Sequence, residues 1–258
     1  MTLMPAVSYT ISPDYTYLRD FLESIPRIFV SEGEVLQDGR NLIKVLTAPD
    51  GTRLNVKRYH KPKGINKFVY SLGIRKPKGK RAYLYSDVLL SHGIDTPRSV
   101  AYIEERSLGL LGYTYYVSLQ CPYKHKCYEL GDATADVYTP FAKALAAFTA
   151  KMHEAGLLHR DYSPGNILWE QTPQQDYRFV LVDTNQMHFG HISQKKGCRN
   201  FARLWGQKGF FVVLAREYAA IRGFNPDECE HVVMAARRKF WKRYMKKKKD
   251  KIKFTLEL

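Results

Sequence analysis

The chain has 258 residues, 45% of them hydrophobic, which is enough to bury a core in one domain or two small lobes and excludes a disordered or fibrous chain. Forty-one Lys and Arg against 25 Asp and Glu give a formal charge of +16. That favours anionic partners such as nucleotides, phosphosugars, acidic membrane or nucleic acid, without choosing among them. No apolar run approaches a membrane-spanning length, and "MTLMPAVSYTISPDY" lacks the basic start and apolar run of a secretory signal, so a cytoplasmic location is expected.

In chain order, "SPDYTYLRDFLESI" opens with Ser12 as N-cap and Pro13 at the first helical position. Leu18, Phe21, Leu22 and Ile25 then share a face, which predicts a leading amphipathic helix over 13–25. From Gly33, Asp38-Gly39 and Asp50-Gly51 punctuate three apolar runs, predicting a three-stranded meander. A basic loop follows, then a helix from about Lys80 to His92 ended by Gly93. Two strands, "RSVAYIEE" and "YTYYVSLQCPY", flank a turn at Leu108 to Gly112.

After about Tyr123 the pattern turns helical. Phe141, Leu145, Phe148 and Met152 form a buried stripe closed by Gly156, and "RFVLVD" reads as a short buried strand. Further helices are separated near Gly206 to Gly209 and Gly223 to Pro226. The order predicts an α+β, two-lobed chain: a strand-rich lobe over 1–122, a helical lobe over 123–258, and a cleft between them. Cys121, Cys127, Cys198 and Cys229 contain no C-x-x-C pair. Cys121, His125 and Cys127 can be drawn as zinc ligands, but reduced, partly buried thiols are the plainer reading.

Between two apolar flanks, "LLHRDYSPGNILWE" carries His159, Arg160, Asp161 and Asn166. They match the H-R-D-x-x-x-x-N catalytic loop of protein kinases. Phosphoryl transfer needs a carboxylate to accept the proton of an attacking hydroxyl and oxygen ligands for Mg²⁺. Asp161 suits the first role and Asn166 the second. Asp183 follows Asn166 by 17 residues, at the end of "FVLVD", so a hairpin can carry both as metal ligands. Lys57 in "LNVKRY" is the candidate cation for nucleotide phosphate, with Arg58 and Lys61 as competitors.

With these pieces in order the chain resembles the kinase-like phosphotransferase superfamily. The stretches "DGRNLIKVL", "VKRYHKP", "HGIDTPRSVAYIE", "HRDYSPGNIL", "LVDTNQMHFG" and "CRNFARL" are similar to bacterial lipopolysaccharide core kinases, which phosphorylate heptose or Kdo sugars. The resemblance implies a protein-kinase-like fold, ATP and Mg²⁺ as cofactors, and a lipopolysaccharide inner-core sugar as acceptor. It also implies that Arg160 orients the catalytic loop.

Three departures stand out. No G-x-G-x-x-G loop is present, so a phosphate cradle has to come from backbone around Gly39 to Asn41. The helix position expected to hold a glutamate partner for Lys57 falls on Leu84, with Asp87 one turn later as the candidate substitute. Asp183 is followed by Thr184 and Asn185, and the 75 residues after it leave little room for a peptide-docking segment, which points to a small or glycan acceptor.

The basic end over 235–258 places Phe240, Trp241, Tyr244 and Met245 among lysines and arginines. It suits either an interfacial helix on an anionic inner membrane or a solvated helix whose aromatics cap the C-terminal lobe. The basic region from Lys57 to Arg81 suits phosphates of an acceptor or a lipid, or a solvated loop. No nucleic acid is expected, because no reading fold accompanies the charge. The rival readings are a kinase for another small-molecule or protein acceptor, and a kinase-like binding module without turnover.

Overall fold

The computed structural model describes residues 5–248. The chain divides into two compact units, one comprising residues up to Leu90 with Pro97–Pro122, the other Ser91–Thr96 with the chain from Tyr123 onward.

The N-terminal unit is built on a six-stranded antiparallel sheet. Its strands are β1 (Ala6–Ile11), β2 (Glu34–Asp38), β3 (Leu42–Thr47), β4 (Arg53–Tyr59), β5 (Ser99–Ser107) and β6 (Leu110–Leu119), in the order β1-β5-β6-β4-β3-β2. The meander and the later pair appear as expected, but β1 is an addition. Its alternating Val7, Tyr9 and Ile11 pack against the core as β1 joins the edge of β5. The leading helix is also longer and less regular than its sequence suggests. A 3₁₀ turn (Pro13–Leu18) precedes α1 (Arg19–Ile28), and Ser12 makes no side-chain cap.

Alternation decides the faces of this sheet. Leu54 and Val56 of β4 meet Leu22 and Ile25 of α1 and Phe29 just after it, and Phe29 sits edge-on to Tyr115 with centroids 5.5 Å apart. The opposite face receives α3 (Lys78–Ser91), where Ser99 Oγ donates to the Tyr83 carbonyl and Ser86 Oγ to that of Pro97. The basic loop before α3 contains a further short helix, α2 (Ile65–Ser71), which the pattern of that loop did not reveal.

β5 and β6 are joined by a tight turn in which Leu108 (φ +50°) and Gly109 (φ +76°) are both left-handed. Glycine and asparagine are at ease there and leucine is not. Leu108→Asn, at a fully solvated position, should raise stability by up to about 1 kcal/mol, read as a higher denaturant midpoint at unchanged slope.

In the C-terminal unit, α4 (Ala135–Glu154) packs against α6 (Lys208–Arg222), and α6 against α7 (Pro226–Lys248). β9 (Ile167–Gln171) and β10 (Tyr177–Leu181) form a hairpin extended by β7 (His125–Lys126). β8 (Leu157–His159) pairs with β11 (Met187–Phe189), and α5 (Gln194–Asn200) follows. Phe141 of α4 touches the rings of Trp169, Tyr177, Phe179 and Phe210, so one aromatic cluster backs the hairpin.

The interfacial-helix reading of the basic end is not supported where it is described. Trp241 is buried against Trp205, Phe240 and Tyr244 stack on each other, and the Arg203 guanidinium lies 5.5 Å from the Phe240 ring centre. The aromatics are used in packing, and Lys242, Arg243 and Lys246 face solvent. Residues 249–258 of the basic tail lie outside the described residues. None of the four cysteines is in a disulfide, and three of them are buried. His125 stacks on Trp169 and bonds Glu129, and among the described residues no group of three or more His, Cys, Asp or Glu is placed to hold a metal.

Candidate active site

The loop "HRDYSPGN" leaves β8 at His159, whose ring is fully buried. The Asp161 backbone N–H donates to His159 Nδ1 at 3.2 Å and His159 Nε2 donates to the Val182 carbonyl at 3.2 Å, an assignment that requires a neutral ring. Burial agrees, holding the His159 pKa below its ordinary value against the opposing pull of Asp183 and Asp161. The Asp161 carbonyl accepts from Ser163 N at 2.8 Å and from Asn166 Nδ2 at 2.9 Å, which folds the loop back on itself. Buried Tyr162 pins its underside to α4 through the Thr149 hydroxyl at 2.7 Å.

This leaves the Asp161 carboxylate partly exposed, accepting a hydrogen bond from Arg203 Nη1. Arg160 is exposed, and its backbone N–H donates to the Gln186 carbonyl at 2.9 Å. The bonds that shape the loop come from His159, Asn166 and Asn200, which donates from Nδ2 to the His159 carbonyl at 2.9 Å.

Asn166 and Asp183 stand at the open end of the β9–β10 hairpin. Leu181 is opposite Ile167, and Val182 N donates to the Asn166 carbonyl at 3.0 Å. Asp183 is left-handed (φ +58°, ψ +41°), a conformation costing a non-glycine residue about 1–2 kcal/mol. Its Oδ1 accepts from Asn185 Nδ2. The Asn166 amide oxygen and the Asp183 carboxylate are hard oxygen donors carried at the same end of one short hairpin.

In the N-terminal unit, Lys57 is buried on the α3 face of the sheet, its Nζ 5.3 Å from the Tyr59 ring centre. Arg58 points to the opposite face, over the rings of Phe29 and Tyr113, and Lys61 is exposed over Tyr113. Gly39 and Asn41 lie in the turn between β2 and β3, where a Cβ on Gly39 would meet only the Gln37 amide at 3.7 Å. Asp87 is on the exposed side of α3, and Ser86 takes the inward position beside it.

Two residues near the loop received no role from sequence reasoning, Asn200 and Arg203, although both lie in the quoted "CRNFARL". Asn200 ends a chain of hydrogen bonds. Arg222 Nη1 donates to the Tyr218 oxygen at 2.7 Å, the Tyr218 hydroxyl to His153 Nδ1 at 2.8 Å, and His153 Nε2 to Asn200 Oδ1 at 3.1 Å. That sequence of donors again requires a neutral imidazole. Burial pushes the His153 pKa down to about 4, with Asn200 opposing and the Arg222 and Lys196 charges assisting.

An unfolded histidine takes its proton near pH 6.5 and this one only near 4, so folded stability should fall as pH drops from about 6.5 to about 4, by on the order of 3 kcal/mol. The decline starts above the carboxylate range. Thermal unfolding across pH 4–8 should show it, and His153→Gln should flatten its upper part.

Residues 127–209 match the model of the Lipopolysaccharide kinase (Kdo/WaaP) family, a segment that contains the loop, the hairpin, Asn200 and Arg203. Over that segment, about a third of the chain, the sequence is similar to the Kdo/WaaP lipopolysaccharide kinase family. Among solved structures it is similar to WaaP in complex with acyl carrier protein, at a TM-score of 0.60 and 17% sequence identity, over 92% of this chain and 99% of that one. The Rio2 kinase from Chaetomium thermophilum, as an ADP/Mg²⁺-phosphoaspartate complex, matches at a TM-score of 0.47 and 14% identity, over 92% and 82% of the two chains. None of the curated proteins matches the sequence. The WaaP likeness establishes the fold expected from the sequence: a kinase-like α+β chain, an antiparallel sheet first and a helical part after it.

Proposed function

We propose that this chain is an ATP-dependent kinase that phosphorylates a hydroxyl of a lipopolysaccharide inner-core sugar. The observation that carries the reading is the arrangement of Asp161, Asn166 and Asp183. Asp161 is carried on a loop whose backbone is shaped by three hydrogen bonds, and Asn166 and Asp183, two residues with oxygen donors, stand at the same end of one hairpin.

Asp161 orients the acceptor hydroxyl and takes its proton as the bond to phosphorus forms. Asn166 and Asp183 fit Mg²⁺, which binds through one or two protein oxygens together with substrate phosphates and needs no larger protein cage. When bound, Mg²⁺ supplies charge neutralisation on the phosphate oxygens. Lys57 holds nucleotide phosphate, with backbone around Gly39 and Asn41 beside it, and Asp87 is left without a role because it faces solvent. His159 keeps the loop in register as a neutral spacer. Arg203 places a positive charge against the Asp161 carboxylate and fixes its orientation.

The test is transfer by the purified chain from ATP with Mg²⁺ to a dephosphorylated lipopolysaccharide core, followed by mass spectrometry. A gain of one phosphate on a core sugar is expected. Phosphate appearing only on a small metabolite or a protein would reassign the acceptor, and nucleotide binding without transfer to any of them would reduce the chain to a binding module.

A further inference from the structure

Between Asp50 and Asp87 the chain has no Asp or Glu, and from Lys57 to Arg81 it carries ten Lys and Arg. Within that stretch α2 is fastened by one side. Ser71 accepts from Leu111 N through its hydroxyl at 2.8 Å and from Arg106 Nη1 through its carbonyl at 3.0 Å.

The other side is apolar and open. Ile65, Phe68 and Leu72, spaced three and seven residues apart, share it and are 77%, 56% and 73% exposed, and Ile74 just beyond is 73% exposed. Four large apolar side chains on so short a segment are not the scattered exposure normal for a protein surface. Lys61 and Lys63 flank them on one side, Arg75 and Lys76 on the other, all exposed.

Behind α2 lies a pocket of about 210 Å³, walled on one side by Asn66 and Tyr70 of α2 and on another by Arg40 and Asn41 of the β2–β3 turn, with His60, Lys61 and Lys63 between them and no carboxylate among its lining residues. Arg81 nearby has a buried Nε without a hydrogen-bond partner, and burial and Arg75 together hold its pKa below the ordinary arginine value. The positive charge here is not compensated by carboxylates along the segment, which favours an anion.

We propose that α2 and the loops on either side of it form a membrane-docking surface. Ile65, Phe68, Leu72 and Ile74 enter the boundary between headgroups and acyl chains of an anionic bilayer, and the exposed Lys61, Lys63, Arg75 and Lys76 that border them meet its lipid phosphates.

A bilayer fits better than a protein partner. Interface cores between proteins are depleted in charge, whereas here lysines border the apolar residues on both sides, as they do on helices that lie in an anionic membrane surface. This surface is separate from α7, whose aromatics are turned inward. It does not depend on the kinase reading.

The test is flotation of the full chain with vesicles of phosphatidylcholine alone or with one third phosphatidylglycerol. Binding is expected only to the anionic vesicles and should weaken with salt. I65S/F68S/L72S/I74S, and separately K61E/K63E, should each reduce it by about tenfold or more, with thermal unfolding unchanged because all six positions are exposed. Retention of binding in both variants, or its loss instead in K242Q/R243Q/K246Q, overturns the proposal. No flotation of the wild type also overturns it and leaves the apolar face to an acidic protein partner.

Discussion

Asp161→Asn should lower the turnover of phosphoryl transfer by about 10²- to 10⁴-fold, the range for removing a general base, while nucleotide affinity stays within a fewfold of wild type. The substitution is close to isosteric. The backbone N–H to His159 Nδ1 and the carbonyl to Ser163 and Asn166 do not involve the carboxylate, so the loop keeps its shape. What is lost is the proton acceptor and the ion pair with Arg203, and a partly exposed pair contributes at most about 1 kcal/mol to stability. Steady-state kinetics on a core acceptor, with nucleotide binding and unfolding measured on the same preparation, separates chemistry from folding. A loss below tenfold would take the proton-accepting role away from Asp161.

The largest effect on stability is expected from Phe141→Ala. Its ring is buried at the centre of four aromatic neighbours, 5.2 Å from Trp169 and Tyr177, 5.3 Å from Phe179 and 6.5 Å from Phe210, centre to centre. Removing it opens a cavity that those rings cannot collapse to fill, because β9, β10 and α6 hold them from three directions. The cost should be about 3–5 kcal/mol in the denaturant unfolding of the C-terminal unit. Trp169 and Phe179 are opposite each other on the hairpin that carries Asn166 and Asp183, so turnover should fall with stability. Phe141→Leu should recover much of both. A destabilisation near 1 kcal/mol would mean that the cluster repacks and that the hairpin is held from elsewhere.

Much of the site was legible because its signals are local. The spacing within "HRDYSPGN" sets a turn whose asparagine reaches back five residues to the Asp161 carbonyl, and the apolar run before Asp183 marks a strand end. Arg203 and Asn200 were not legible as partners of the loop, although they stand in a stretch already noticed. They lie 42 and 41 residues from the groups they bond, and nothing in the spacing of "CRNFARL" says where it will be carried.

Composition, periodicity and motif spacing determined the antiparallel meander, the helical second part, the β9–β10 hairpin and the loop, since turn chemistry and the two- and 3.6-residue repeats act between near neighbours. Tertiary structure decided which amphipathic segments turn inward. The aromatics of "KFWKRYM" and the apolar residues of "INKFVYSLGI" carry similar patterns among lysines, yet the first meets Trp205 and Arg203 and is covered, while the second is held by Ser71 with its apolar side outward. An apolar stripe states that a surface is costly to leave in water. What covers it depends on which elements the rest of the chain brings alongside.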